Sequence, residues 1–143
     1  MPLHILVTDG VDPDGVEVLR AEPAFVVDEV PTLAAAELLT RIADYDAIVG
    51  RSATKISGDL LRAGTRLRVV GRAGVGVDNI ALELATELGV AVINAPAGNT
   101  VAVAELFFGM MIALVRSIPH ATESTHAGKW ERSALTGTEL RGK

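Results

Sequence analysis

The chain has 143 residues, 49% hydrophobic and 22% charged, with a formal net charge of −5 and no cysteine. An acidic balance without a basic stripe excludes a phosphate-tracking nucleic-acid surface, and the missing thiols exclude disulfides, thiol catalysis and cysteine-held metal while fitting a reducing cytoplasm. A single Trp and a single Tyr leave a core of Ala, Val, Leu and Ile, the composition of parallel sheets, in a chain long enough for one domain or for one domain and a piece of another.

Apolar, β-branched runs recur at Leu3 to Val7, Phe25 to Val27, Ala47 to Val49, Leu67 to Val70 and Val90 to Ile93, with starts about 22 residues apart. That spacing leaves room for one helix and two loops between neighbours. Helix starts are read at Asp12-Pro13, as cap and first-turn proline, at Thr32 before an alanine-rich run, at Ser57 before Asp59-Leu60-Leu61, and at Asp78 before Ile80 to Leu88. Five βα units over residues 3 to about 100 make an α/β fold: a flavodoxin-like or Rossmann-like doubly wound, parallel five-stranded sheet with flanking helices.

After the fifth strand, Asn94-Ala95-Pro96-Ala97-Gly98-Asn99-Thr100 is a turn-rich link with a cap at Asn99 or Thr100. A long apolar helix is expected from Val101 to about Ser117, stopped by Pro119, and its apolar residues occupy every face. It calls for burial by a second domain or another subunit. Its apolar run is interrupted by Glu105, read as a buried acid needing a hydrogen-bond partner, and is shorter than the roughly 20 residues of a membrane span. No basic segment followed by an apolar stretch marks a secretory signal at the N-terminus, and His120 to Lys143 reads as a polar tail around Trp130. The expected division is 1–98 and 99–143, without internal repeats.

Two loops carry the chemistry. In Val69-Val70-Gly71-Arg72-Ala73-Gly74-Val75-Gly76-Val77-Asp78-Asn79 an apolar strand ends in an arginine and a glycine elbow, at the carboxyl end of a strand where open α/β sheets bind ligands. The glycines permit close backbone approach, and the missing third glycine argues against a pyrophosphate loop. Gly50-Arg51-Ser52-Ala53-Thr54-Lys55 follows the third strand with two cations, two hydroxyls and no acid. Neighbouring strands would let Arg51, Lys55 and Arg72 converge on a carboxylate or phosphate; the alternative is that Arg51 and Lys55 are solvated and Arg72 pairs with an acid. Asp9 to Asp14 reads as a helix cap and solvated loop, and neither it nor His4, His120 and His126 assembles a metal site or a triad.

Arg51-Ser52-Ala53-Thr54-Lys55, Val70 through Asn79, Asn94-Ala95-Pro96, Gly128-Lys129-Trp130-Glu131-Arg132 and Gly137-Thr138-Glu139-Leu140 resemble, in order over nearly the whole chain, the phosphoglycerate branch of the NAD-dependent D-isomer-specific 2-hydroxyacid dehydrogenases. The resemblance implies oxidation of 3-phosphoglycerate to 3-phosphohydroxypyruvate with NAD, in serine biosynthesis. It implies a substrate-binding domain at 1–98, and at 99–143 a linking helix with the start of a nucleotide-binding domain. Arg51, Ser52, Lys55, Arg72, Gly74 and Arg132 would serve the substrate, with Arg132 reaching toward a partner subunit's active site, and Val75 and Gly76 would approach the nicotinamide end of NAD. A homo-oligomer, dimer or tetramer, is expected through Val101 to Val115 and the following segment, without nucleic-acid or membrane partners.

The family's Gly-x-Gly-x-x-Gly loop and its catalytic Arg, Glu and His have no match in these residues, so the chain is expected to be an N-terminal part that is inactive alone and prone to self-association through its apolar helix. Rival readings are another 2-hydroxyacid dehydrogenase and a noncatalytic ligand-binding or oligomerisation module. A receiver domain would need an aspartate after the third strand and a lysine after the fifth, where Arg51 and Asn94 stand. An FMN binder would need a hydroxyl-rich loop after the first strand, where Asp9 to Asp14 is acidic.

Overall fold

Five apolar runs become strands in a computed structural model that describes residues 2–143. The strands are β1 (Leu3–Val7), β2 (Phe25–Glu29), β3 (Ala47–Gly50), β4 (Val69–Arg72) and β5 (Ala91–Asn94). All pair in parallel, in the order β2-β1-β3-β4-β5. This is the doubly wound order whose switch point lies between β1 and β3, where crossovers leave to opposite faces and open a crevice at the carboxyl edge. The helices are α1 (Pro13–Arg20), α2 (Ala35–Arg41), α3 (Gly58–Ala63), α4 (Leu82–Glu87), α5 (Thr100–Val115) and α6 (Ile118–His126). The chain divides into two compact units between Gly98 and Asn99.

In the first unit, strand alternation sends Leu6, Ile48 and Val70 to one face, where Leu38 of α2, Leu60 and Leu61 of α3, and Ala85 of α4 bury them. Ile5 and Val7 project to the other face against Val16 of α1. Each fully buried aliphatic side chain contributes about 1.5–3 kcal/mol, so these positions hold the sheet rigid behind its loops. The second face is less covered: Ala47, Val49, Gly71, Ala91 and Ile93 line an open apolar groove, and Ile93 is 60% exposed.

Two of the expected caps form. Asp12 accepts from the Asp14 amide with Pro13 in the first turn, and Ser57 Oγ accepts from the Leu60 amide at 3.3 Å. Two do not. Helix α2 begins after Ala34 with no side-chain cap, because the Thr32 hydroxyl donates to Asp9 Oδ1 instead. Helix α4 begins after Ala81 rather than at Asp78, because Asp78 and Asn79 form a turn, closed by the Ile80 amide on the Val77 carbonyl, that delivers Ile80 to a parallel bridge with Ile56.

In the second unit α5 presents Val101, Leu106, Phe107 and Leu114 as exposed side chains. Glu105 is exposed as well, so the expected buried acid is not one. Pro119 does not stop α5. The helix ends at Val115, Ser117 takes a left-handed φ of 49°, and Pro119 falls in the first turn of α6, which runs on into the polar tail expected from His120. Among the described residues no single helix is long and apolar enough to cross a membrane.

Candidate functional site

Strand register aligns Gly50 of β3 with Arg72 of β4, and Arg72 with Asn94 of β5. The loops that follow these strands therefore leave from one row of the sheet. Between them lies a narrow crevice of about 10 Å³, too small to enclose more than a water, lined by Gly50, Arg51, Thr54, Arg72 and Asn79 together with the apolar Ile56, Val70 and Ile80.

The loop after β3 is held from both sides. Asp9, just past β1 and in the left-handed region at φ 64°, accepts the amides of Arg51 and Thr54 on Oδ2 at 2.8 and 2.9 Å. Its Oδ1 accepts the hydroxyls of Thr54 at 2.7 Å and Thr32 at 2.9 Å. Burial raises the Asp9 pKa, but the Thr54 hydroxyl, the Arg51 and Thr54 amides and the Thr32 hydroxyl outweigh it, holding the carboxyl below the ordinary aspartate value. Because Thr54 gives its proton to Asp9, the 3.2 Å contact with buried Thr8 is Thr8 donating to Thr54 Oγ1. From the other side Asn79 Nδ2 donates to the carbonyls of Arg51 at 3.1 Å and Thr54 at 2.7 Å. Gly50 has no room for a side chain, since a Cβ would lie 2.7 Å from Thr8 Oγ1 and 3.3 Å from Asp9 Oδ2.

The elbow after β4 is more lightly tied. Asn94 Nδ2 donates to the Val75 carbonyl at 2.6 Å, and the Ala95 amide donates to the Gly74 carbonyl at 3.0 Å. Arg72 folds back over Gly74, where a Cβ would collide with its guanidinium, so this glycine makes space for the arginine itself. Among the described residues Arg72 Nε is buried with no hydrogen-bond partner, and Asn79 Oδ1 beside the same crevice is also unpartnered.

Among the described residues no acid lies within ion-pair distance of Arg51, Lys55 or Arg72, whereas Arg20, Arg41, Arg62 and Arg66 are paired. The reading in which Arg72 is neutralised by a nearby carboxylate therefore does not describe this structure. Arg51 and Arg72 meet at the crevice; Ser52 and Lys55 are exposed on the same loop and do not line it. Gly74, Val75 and Gly76 form the elbow, and Arg132 is an exposed residue of the second unit. No group of three or more metal-ligating side chains occurs among the described residues.

The arrangement offers fixed positive charge on a hydrogen-bonded backbone frame, which can attract and orient an anion at the surface of these loops. It offers no general base. Charge reading found Arg51 and Arg72 but missed Asp9 and Asn79, which build the frame. Their signals were an Asp-Gly at the end of the strand neighbouring β3 and an Asn immediately after the elbow.

The model of the D-isomer specific 2-hydroxyacid dehydrogenase catalytic domain matches residues 5–136. The chain belongs to this family. Among curated relatives, D-3-phosphoglycerate dehydrogenase of Methanocaldococcus jannaschii is 46% identical over 99% of this chain and 26% of its own length. The enzyme of the same name from Sus scrofa is 45% identical over 97% of this chain and 26% of its own. The NAD+-bound 3-phosphoglycerate dehydrogenase structure from Entamoeba histolytica superposes with a TM-score of 0.74 at 28% identity, covering 100% of this chain and 45% of that one. The chain thus spans about a quarter of the length of these curated dehydrogenases.

Proposed function

We propose that these residues form the substrate-holding part of an NAD-dependent dehydrogenase that oxidises 3-phosphoglycerate to 3-phosphohydroxypyruvate in cytoplasmic serine biosynthesis. The observation that carries this reading is the pair of arginines, Arg51 and Arg72, lining one crevice at the carboxyl edge of the sheet with neither guanidinium in an ion pair among the described residues. A substrate with a carboxylate at one end and a phosphate at the other needs two cationic contacts held apart on a rigid frame. The pair at the crevice supplies them, and exposed Ser52 and Lys55 extend the positive side of the β3 loop. On the elbow, the amides of Val75 and Gly76 make no hydrogen bond to another protein group among the described residues, which leaves them free for a carboxylate or a cofactor edge.

In this reading 1–98 is the substrate domain, and 99–143 is the linking helix and the start of the nucleotide-binding domain. NAD, when bound, takes the hydride from the substrate carbon that carries the hydroxyl. By the family resemblance Val75 and Gly76 would lie toward its nicotinamide end, and both are exposed on the elbow that follows Arg72. Pyrophosphate binding would fall to groups outside this set, since no Gly-x-Gly-x-x-Gly run occurs in the 143 residues, and the family's catalytic Arg, Glu and His, which have no match here, would take the proton. Arg132 would serve a partner subunit's site. The apolar residues of α5 favour a homo-oligomer, dimer or tetramer, in which a second copy covers Val101, Leu106, Phe107 and Leu114.

The test is an NMR or calorimetric titration at fixed ionic strength with 3-phosphoglycerate, D-glycerate and D-lactate, together with an assay for NADH. Selective binding of 3-phosphoglycerate without NADH production is expected. Equal response to all three acids would remove the phosphoglycerate assignment, and NADH production by these residues alone would overturn the division of labour.

A further inference from the structure

The loop that carries Arg51 is gripped by an acid, in a place where an acid should harm the proposed function. Asp9 sits directly behind the β3 loop, and its negative charge weakens any anion held near Arg51. Yet its two oxygens accept four hydrogen bonds, from the Arg51 and Thr54 amides and from the Thr54 and Thr32 hydroxyls. Its backbone takes the left-handed region at φ 64°, which Asp adopts more readily than most non-glycine residues, and this brings the carboxylate there. Gly50 lacks the Cβ that would block it. Such a convergence of backbone conformation, space and hydrogen bonds on one carboxylate fixes the backbone on which Arg51 stands.

We propose that Asp9 is a positioning residue: by fixing the Arg51 and Thr54 amides it sets the direction in which Arg51 meets the substrate anion. Asn79 holds the Arg51 and Thr54 carbonyls, so amide and carbonyl of both residues are pinned from opposite sides. A long arginine presented from a pinned backbone loses less freedom on binding than one on a mobile loop. This role rests on the anion-site reading above and adds to it a residue of the wrong charge for direct contact with the anion.

The charge makes the test decisive in sign. Asp9→Asn keeps the shape and removes the negative charge: the two amides are left with the weaker acceptor of a neutral amide oxygen, and an NH2 faces the Thr54 and Thr32 hydroxyls that had donated to the carboxylate. If Asp9 acted only through its field, the substitution would tighten anion binding; if it positions Arg51, the substitution weakens it. The experiment titrates the 143-residue chain with 3-phosphoglycerate, comparing wild type, Asp9→Asn, Arg51→Ala and the double variant, and follows hydrogen exchange of the Arg51 and Thr54 amides.

Asp9→Asn is expected to weaken binding about tenfold, the equivalent of one hydrogen bond to a charged group. It should have little further effect once Arg51 is alanine, and it should lose protection at the Arg51 and Thr54 amides while the β1 and β3 amides stay protected. Unchanged or tighter binding in Asp9→Asn overturns the proposal, as does full additivity with Arg51→Ala. If Asp9→Asn does not fold, Thr32→Val removes one hydrogen bond and keeps the charge; about two- to threefold weaker binding supports the proposal, and unchanged binding overturns it. Wild type that binds no 3-phosphoglycerate removes the anion site itself, and with it the role given to Asp9.

Discussion

The two loops at the crevice are built in opposite ways. The β3 loop is short and clamped between Asp9 and Asn79, whose contacts reach 25 to 45 residues along the chain. The glycine elbow after β4 is tied through Asn94 and the Ala95 amide, and its Val75 is 37% exposed. Arg51 stands on the clamped loop itself, whereas Arg72 is the last residue of β4, held in the sheet between Gly50 and Asn94, and the lightly tied backbone begins only after it. Both arginines are thus presented from fixed backbone, and the room to adjust lies in the glycines that follow Arg72.

That contrast breaks first at Gly50. Gly50→Ala puts a methyl group against buried Thr8 Oγ1 and should cost about 2 kcal/mol of stability, measured by denaturant midpoint, because neither Thr8 nor Asp9 can give way without losing a hydrogen bond. Asn79→Ala should cost about 1 kcal/mol and loosen the β3 loop, seen as faster exchange of the Thr54 amide. At the elbow the effect should reverse in kind. Gly74→Ala meets only the mobile end of Arg72, so stability should change by less than about 0.5 kcal/mol while 3-phosphoglycerate binding falls, because the guanidinium is pushed from its place.

The smallest expected effect is in pH dependence. The Asp9 carboxyl titrates below the ordinary aspartate value of about 4, so more protons bind the unfolded chain than the folded one across the interval between the two values. The stabilisation is present above the unfolded value and is lost as pH falls through the lowered folded value. Asp46, lowered chiefly by the His4 amide, follows the same course at the opposite edge of the sheet. Asp9→Asn should therefore flatten the acid limb of a stability curve without removing it, since Asp46 still titrates. An unchanged acid limb would mean that the Asp9 hydrogen bonds contribute nothing in solution.

The sheet could be read from the sequence because parallel strands repeat a simple pattern, an apolar run and then a helix, at a nearly constant interval. The arginines could be read because charge without an opposing acid is a local property. Asp9 could not, because its partners are Arg51 and Thr54, more than forty residues away, and only the β1-β3 pairing brings them together. Thr32 and Asp78 fail as caps for the same reason: Thr32 is taken by Asp9, and Asp78 lies in the turn that brings Ile80 to its bridge with Ile56. Helix α5 shows the other side of this limit, since its composition calls for burial while nothing in the sequence names what covers it.

The most direct measurement is a calorimetric double-mutant cycle on 3-phosphoglycerate binding with Arg51→Ala, Arg72→Ala and both together. A shared anion site predicts that each substitution weakens binding by tenfold or more, on the order expected for a lost charge-assisted hydrogen bond, and that the double variant falls short of the product of the two. Binding that survives both substitutions unchanged would contradict the site.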